Sequence, residues 1–255
     1  METTDPGAHE ARLFAYAFKA TIPVLLGYVT IGIAYGLLLV TAGLPWWLAP
    51  LSSVVVYAGA AQFMAIALIT SGRGVLEIAL LTFLVNARHL VYGLSLLGPF
   101  GEARRWKPYL VYALTDETYG LLTTVKPPPG IPEGAEGAHG RERFYALVSG
   151  LDQSYWVLGS AVGAAAGALV PAGWTGGLDF ALTALFIVLL VEQVRSVQIA
   201  APYLVTLAAA AIALFVFGPA NFLVSAILLA TGGMLALRRG IEGGVEGAAA
   251  DGKQQ

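Results

Sequence analysis

Apolar residues gather into unbroken runs at about 20–42, 48–70, 75–97, 108–125, 144–170, 180–191, 201–217 and 219–237, with polar residues confined largely to the gaps. Crossing ~30 Å of hydrocarbon takes roughly 20 helical residues, so most runs suffice, while 180–191 is short unless it extends into Glu192 and Gln193. The pattern predicts an all-α, polytopic membrane helix bundle of seven to eight transmembrane helices, eight preferred, with broken or re-entrant segments among them. A transmembrane barrel would instead need alternating segments of about ten residues.

Composition fits. Of 255 residues 57% are hydrophobic and 12% charged, with a mean hydropathy of +0.73, against roughly 25% charged in soluble domains. A net charge of −2 offers no basic stripe for nucleic acid. The absence of cysteine excludes disulfides, thiolate nucleophiles and cysteine metal sites. Residues 1–17 form a polar N-terminal segment with no apolar core for a cleavable signal, so the first run is expected to be an uncleaved anchor. A single transmembrane domain is expected over 18–237, as halves 18–125 and 143–237 joined by a Pro/Gly-rich polar linker at 126–142. Residues 238–255 read as a disordered cytoplasmic tail.

Positive charge tests this layout. With eight spans and the N-terminus inside, the inner side holds Arg12, Lys19, Arg73, Lys126, Arg141, Arg143, Arg195, Arg238, Arg239 and Lys253. The outer side holds Arg104, Arg105 and Lys107, clustered in one loop. That loop conflicts with the rule, and a re-entrant third segment or one miscounted span would remove the conflict.

The third run carries Asn86-Ala87-Arg88-His89 in its middle. A guanidinium there costs from about 2.5 to more than 10 kcal/mol unless it finds a partner or water. Asn86, Arg88 and His89 do not share one face of a regular helix, so joint access to a cavity requires a broken helix. Tyr92 lies one turn from Arg88 on the same face. In the fourth run, adjacent Asp116 and Glu117 project ~100° apart, so one can pair with Arg88 while the other faces a cavity or carries a proton. The alternatives are a structural Arg–carboxylate tie and a solvated acid pair near the headgroups.

Gln62 is the polar side chain within Tyr57-Ala58-Gly59-Ala60-Ala61-Gln62-Phe63, where small residues allow either close helix packing or a break that exposes backbone to a ligand. Asp152 opens the fifth run and reads as a first-turn acid complementing the helix dipole, or as a further site residue. The candidates for substrate binding or proton coupling are thus Gln62, Asn86, Arg88, His89, Tyr92, Asp116, Glu117 and Asp152. A weak echo links Tyr28-x3-Gly32-x3-Gly36 with Tyr155-x3-Gly159-x3-Gly163-x3-Gly167, as a transporter repeat or as two small-residue packing faces.

No GxxxxGK[ST] pattern or GxSxG elbow occurs, and the three histidines are His9, His89 and His139. ATP hydrolysis by that route, a histidine-built zinc site and a complete nucleophile–base set all lack support, so no cofactor, metal or enzymatic activity is expected. The remaining alternatives are a secondary transporter and a non-transporting membrane scaffold or regulatory subunit.

Pro23-x3-Gly27-Tyr28-x3-Gly32-x3-Gly36, Ala58-Gly59-Ala60-Ala61-Gln62-Phe63, Asn86-Ala87-Arg88-His89-Leu90-Val91-Tyr92-Gly93 and Thr115-Asp116-Glu117-x-Tyr119 together resemble the AzlC family of branched-chain amino acid exporters, over roughly residues 14–170. The resemblance implies a multi-pass permease of a prokaryotic inner or plasma membrane. It also implies a small amino-acid substrate and a small hydrophobic AzlD-type subunit in the same bilayer.

Overall fold

The computed structural model describes residues 6–96, 105–131, 137–169, 187, 190–191, 194 and 200–237. These residues are helical or in turns, with no strands among them. The apolar helices suit a membrane helical protein, although the described residues do not establish a count of seven or eight spans. The run at 180–191, most of the 98–107 loop and the tail lie largely outside the described residues. The chain divides into two compact units, Met1–Thr183 and Ala184–Gln255.

In the first unit the helices are α1 (Pro6–Thr41), α2 (Leu48–Val55), α3 (Gly59–Thr70), α4 (Val75–Asn86), α5 (Arg88–Ser95), α6 (Lys107–Tyr112), α7 (Asp116–Thr124) and α8 (Ala138–Leu169). The scaffold is α1 against α8. Arg143 pairs with Glu10 at 2.7 Å, Thr21 hydrogen-bonds Tyr155 at 2.9 Å, and Gly167 lies against Leu37 and Val40. Contacts that advance together along both helices mean that the two run in the same direction. The two glycine patterns are the faces of this crossing: a Cβ on Gly32 would lie 3.1 Å from Gly159 Cα, and one on Gly163 would overlap the backbone of Ile33. Lipid supplies no hydrophobic drive between helices, so close backbone packing of this kind holds them together. An inverted relation between the first and fifth runs is inconsistent with the shared direction.

With α1 as a ruler, the second run reverses. Tyr35 of α1 meets both Ser52 of α2 (2.7 Å) and Phe63 of α3 (ring centroids 5.3 Å). Between them, Tyr57 at the bend reaches back to Tyr28. Gln62 also bonds Ser52 and Ser53 across the two arms. Residues 48–70 therefore form a re-entrant hairpin with its tip at Tyr57-Ala58.

The fourth run reverses from the other end. The Trp106 backbone N–H donates to the Glu142 carboxylate near the start of α8, and Tyr112 bonds the Val54 carbonyl near the first hairpin's tip. Then α7 returns, so that Leu122 and Val125 join Leu13, Leu110, Phe144 and Val148 in the apolar cluster. Its tip lies at Ala113–Thr115, where Thr115 meets Tyr28 at 2.5 Å.

The third run passes from one end of the α1–α8 scaffold to the other. It starts beside the Arg73–Glu77 pair, bends by 44° between α4 and α5, and ends with Leu96 in the cluster around Leu13. This corrects the sequence expectation of spans at 48–70 and 108–125: both runs have spanning length, and each folds back on itself. It also removes the charge conflict for Arg105 and Lys107. Arg105 and Lys107 adjoin Trp106, which is tied to Glu142, so they lie at the Arg143–Glu10 end. Arg104 is outside the described residues.

In the second unit, α9 (Ala200–Ala236) is two arms broken at Gly218, with φ +71 and Pro219 following. A Cβ on Gly233 would meet Val205, so the arms lie side by side. The break falls between the two apolar runs, 201–217 and 219–237, that the sequence separates. Among the described residues, Glu10–Thr41 and Ala200–Gly218 are each long and apolar enough to cross a membrane, and the bent α4–α5 pair brings the number to three where it counts as one span.

Candidate functional site

The site starts from a helix cap. Thr115 has extended backbone, and its side chain accepts the Thr118 N–H at 3.1 Å. That cap begins α7 at Asp116 and sets Asp116 and Glu117 in the first turn, where the helix dipole favours negative charge. Because the second hairpin turns back just before this point, the helix start falls in the middle of an apolar run.

Asp116 uses both oxygens. Oδ2 pairs with Arg88 at 2.6 Å, and Oδ1 accepts from the Tyr92 hydroxyl at 2.7 Å. Tyr92 stacks on Tyr119 with centroids 4.5 Å apart, and Ser95 bonds the Tyr119 hydroxyl at 3.1 Å. Arg88 is the first residue of α5, just past the bend. His89 Nδ1 lies 3.0 Å from the Asn86 carbonyl, donating to a group that the break leaves without a helical partner. His89 also meets Tyr92 edge-on at 5.8 Å. The Arg88 and Asp116 side chains are 44% and 39% exposed, so this pair sits on an open face.

Glu117, also exposed, accepts from the buried Tyr28 hydroxyl at 2.8 Å. Beneath this open layer is a closed one. Thr118 donates to Asp152 Oδ2 at 2.8 Å, and Asp152 is fully buried. The apolar run containing Asp152 begins at about residue 144, but α8 begins at Ala138, because Arg141, Glu142 and Arg143 are already helical. Asp152 is therefore mid-helix, and the first-turn reading does not hold.

Gln62 stands apart from these acids. Its Oε1 accepts from Trp156 Nε1 at 3.0 Å and from the Ala58 N–H at 3.2 Å, while Nε2 donates to Ser52 and Ser53. All of its hydrogen-bonding groups are used within the protein, closing the first hairpin onto α8. Gln62→Leu is expected to strand the Trp156 and Ala58 donors, at about 1–3 kcal/mol for each unsatisfied buried group. Thermal unfolding in detergent should shift down by several degrees, whereas an unchanged melt would remove this role.

The structure thus brings Asn86, Arg88, His89, Tyr92 and Asp116 together, puts Glu117 beside them on Tyr28, and reaches Asp152 through Thr118. Sequence reasoning left Tyr28, Tyr57, Thr115 and Thr118 out of the site. A signal was present: threonine before two acids is a helix-start signature, masked here by the apolar run around it.

The AzlC protein family model matches residues 23–170. The chain is 32% identical to the "Branched-chain amino acid transport protein AzlC" of Bacillus subtilis over 90% of its length and 87% of that protein. It is 36% identical to an "Uncharacterized membrane protein" of Helicobacter pylori, covering 91% of this chain and 97% of the other. The "Inner membrane protein YgaZ" of Escherichia coli is 26% identical over 78% of the chain and 80% of its own length. No solved structure matches.

Proposed function

The chain belongs to the AzlC family, and from that premise we propose that it is an integral membrane transporter exporting branched-chain or related small amino acids. In this reading transport is secondary and proton-driven, and a small AzlD-type membrane subunit assists it. The Bacillus subtilis relative, named for branched-chain amino acid transport, supports a transport component rather than an enzyme.

One observation carries the reading: a half-exposed Arg88–Asp116 pair at the break of an apolar run, just past the tip of the second hairpin. An ion pair at that depth is costly against lipid and suits a wet passage. Arg88 would attract the substrate carboxylate. Glu117, exposed and held by one phenol, would take the ammonium group, and the surrounding aliphatic walls would suit an apolar side chain. Charge orients the molecule: Arg12, Arg105, Lys107, Lys126, Arg141 and Arg143 lie at the end with the Glu10–Arg143 pair, and Arg73 at the other. The first end is assigned to the cytoplasm of the cell membrane.

The test is a proteoliposome counterflow assay with labelled amino acids, with and without the small subunit. Exchange of leucine, isoleucine or valine above empty liposomes is expected, and none with any amino acid would reject the reading. A second reading, a non-transporting scaffold or regulatory subunit, draws on the same 2.6 Å pair as a structural tie between α5 and α7.

A further inference from the structure

Among the described residues, three buried side-chain oxygens have no hydrogen-bond partner: Tyr57 Oη, Ser149 Oγ and Asp152 Oδ1. They belong to one neighbourhood. Ser149 is one turn before Asp152 on α8, and the Tyr57 phenol at the first hairpin's tip faces Thr118 and Asp152. Thr118, on the returning arm of the second hairpin, supplies the only bond to the carboxyl among the described residues, at 2.8 Å. Tyr57 adopts φ +45, an unusual backbone for a side-chain-bearing residue, which turns the chain at this point. Two hairpins entering from opposite ends therefore meet one buried carboxyl on the fixed α1–α8 scaffold.

We propose that Asp152 is the site that binds the coupling proton, separate from the Arg88–Asp116 pair that meets the substrate. Asp116 spends both oxygens on Arg88 and Tyr92, so taking a proton would mean breaking an ion pair. No cation pairs with Asp152 among the described residues. The titratable groups that face it are Tyr57, Tyr109 of α6, Glu117 of α7 and Tyr155 of its own helix. A lone buried carboxylate is costly unless it is neutralised, and one proton on Oδ1 does that. The protonated Oδ1 becomes a donor among hydroxyls that can accept. Loss of the proton restores a charge beside Thr118, and through that residue the charge bears on the cap of α7 and the first turn carrying Asp116 and Glu117. Proton occupancy and substrate occupancy thus act on one helix start.

The proposal rests on the transport reading, and its test separates the two. Infrared titration of the purified wild-type protein should show a protonated-carboxyl band that Asp152→Asn removes. In proteoliposomes, Asp152→Asn should keep leucine counterflow within about twofold of wild type and lose tenfold or more of the uptake driven by an imposed pH gradient. Should the Asn variant not fold, Thr118→Val is expected to move the pH midpoint of the band. The assignment is overturned if Asp152→Asn leaves the band unchanged, keeps gradient-driven uptake, or loses counterflow together with the drive. It is also overturned if a sodium gradient replaces the proton gradient. A wild-type protein with no counterflow would refute the transport reading, and the infrared band would then decide the proton site by itself.

Discussion

Arg88→Ala is expected to give a chain that inserts and folds but exchanges leucine roughly 100-fold more slowly. A charge-assisted hydrogen bond contributes about 1.5–3 kcal/mol, and each 1.4 kcal/mol is a factor of ten in rate. The substitution also leaves Asp116 at mid-depth with Tyr92 as its remaining partner among the described residues. The pair is partly exposed, so folding depends on it far less than the recognition of a carboxylate would. Its reversal, Arg88→Asp with Asp116→Arg, separates recognition from architecture. A structural tie would be restored by the swap, and transport with it. A substrate site would not, because the cation would move from the bend of α5 to the α7 start, where the dipole disfavours it. Counterflow beside a folding assay on the same preparations reads both outcomes.

Gly163→Val is expected to leave little folded protein. The first added carbon would overlap the backbone of Ile33, and a helix backbone cannot rotate aside as a side chain can. Overpacking of ordinary cores costs about 1–3 kcal/mol, and a clash with backbone belongs at or above the top of that range. Gly36→Val should behave alike, since its added carbon would overlap Ser160 and Ala164. Gly27→Ala is the control, with no atom beyond its chain neighbours and its own helix backbone within 4 Å of the added carbon, and should melt like wild type. A Gly163→Val chain with normal yield and melting temperature would mean that α1 and α8 are not packed as described.

Much of this could be read in the residues. Arg88 and two acids in apolar runs announced a pair, because isolated charge at that depth is untenable, and Asp116 supplies the partner. The awkward angular spread of Asn86, Arg88 and His89 announced the break, and the chain bends there. The glycine patterns around Tyr28 and Tyr155 announced close packing, and they face each other. The reversals at Tyr57-Ala58 and Ala113–Thr115 were hidden. An apolar run of 18 to 23 residues has the same length whether it crosses or turns back, and turn polarity is absent when the tip is buried in protein. Threonine ahead of Asp116-Glu117 was the local sign of a helix start, and three basic residues on the wrong side of an eight-span layout were the global one. The depth of Asp152 was hidden for a related reason: charged Arg141, Glu142 and Arg143 look like linker, yet they form the first turns of α8.

Two hairpins enter from opposite ends of the α1–α8 scaffold and join their tips at the polar site. The chain has no native cysteine, so single cysteines at Arg73, Arg105 and Lys126 can be labelled with a membrane-impermeant maleimide from each side of sealed vesicles. The fold predicts that Arg105→Cys and Lys126→Cys label from one side and Arg73→Cys from the other. Labelling of positions 105 and 126 from opposite sides would make 107–125 a full crossing and contradict it.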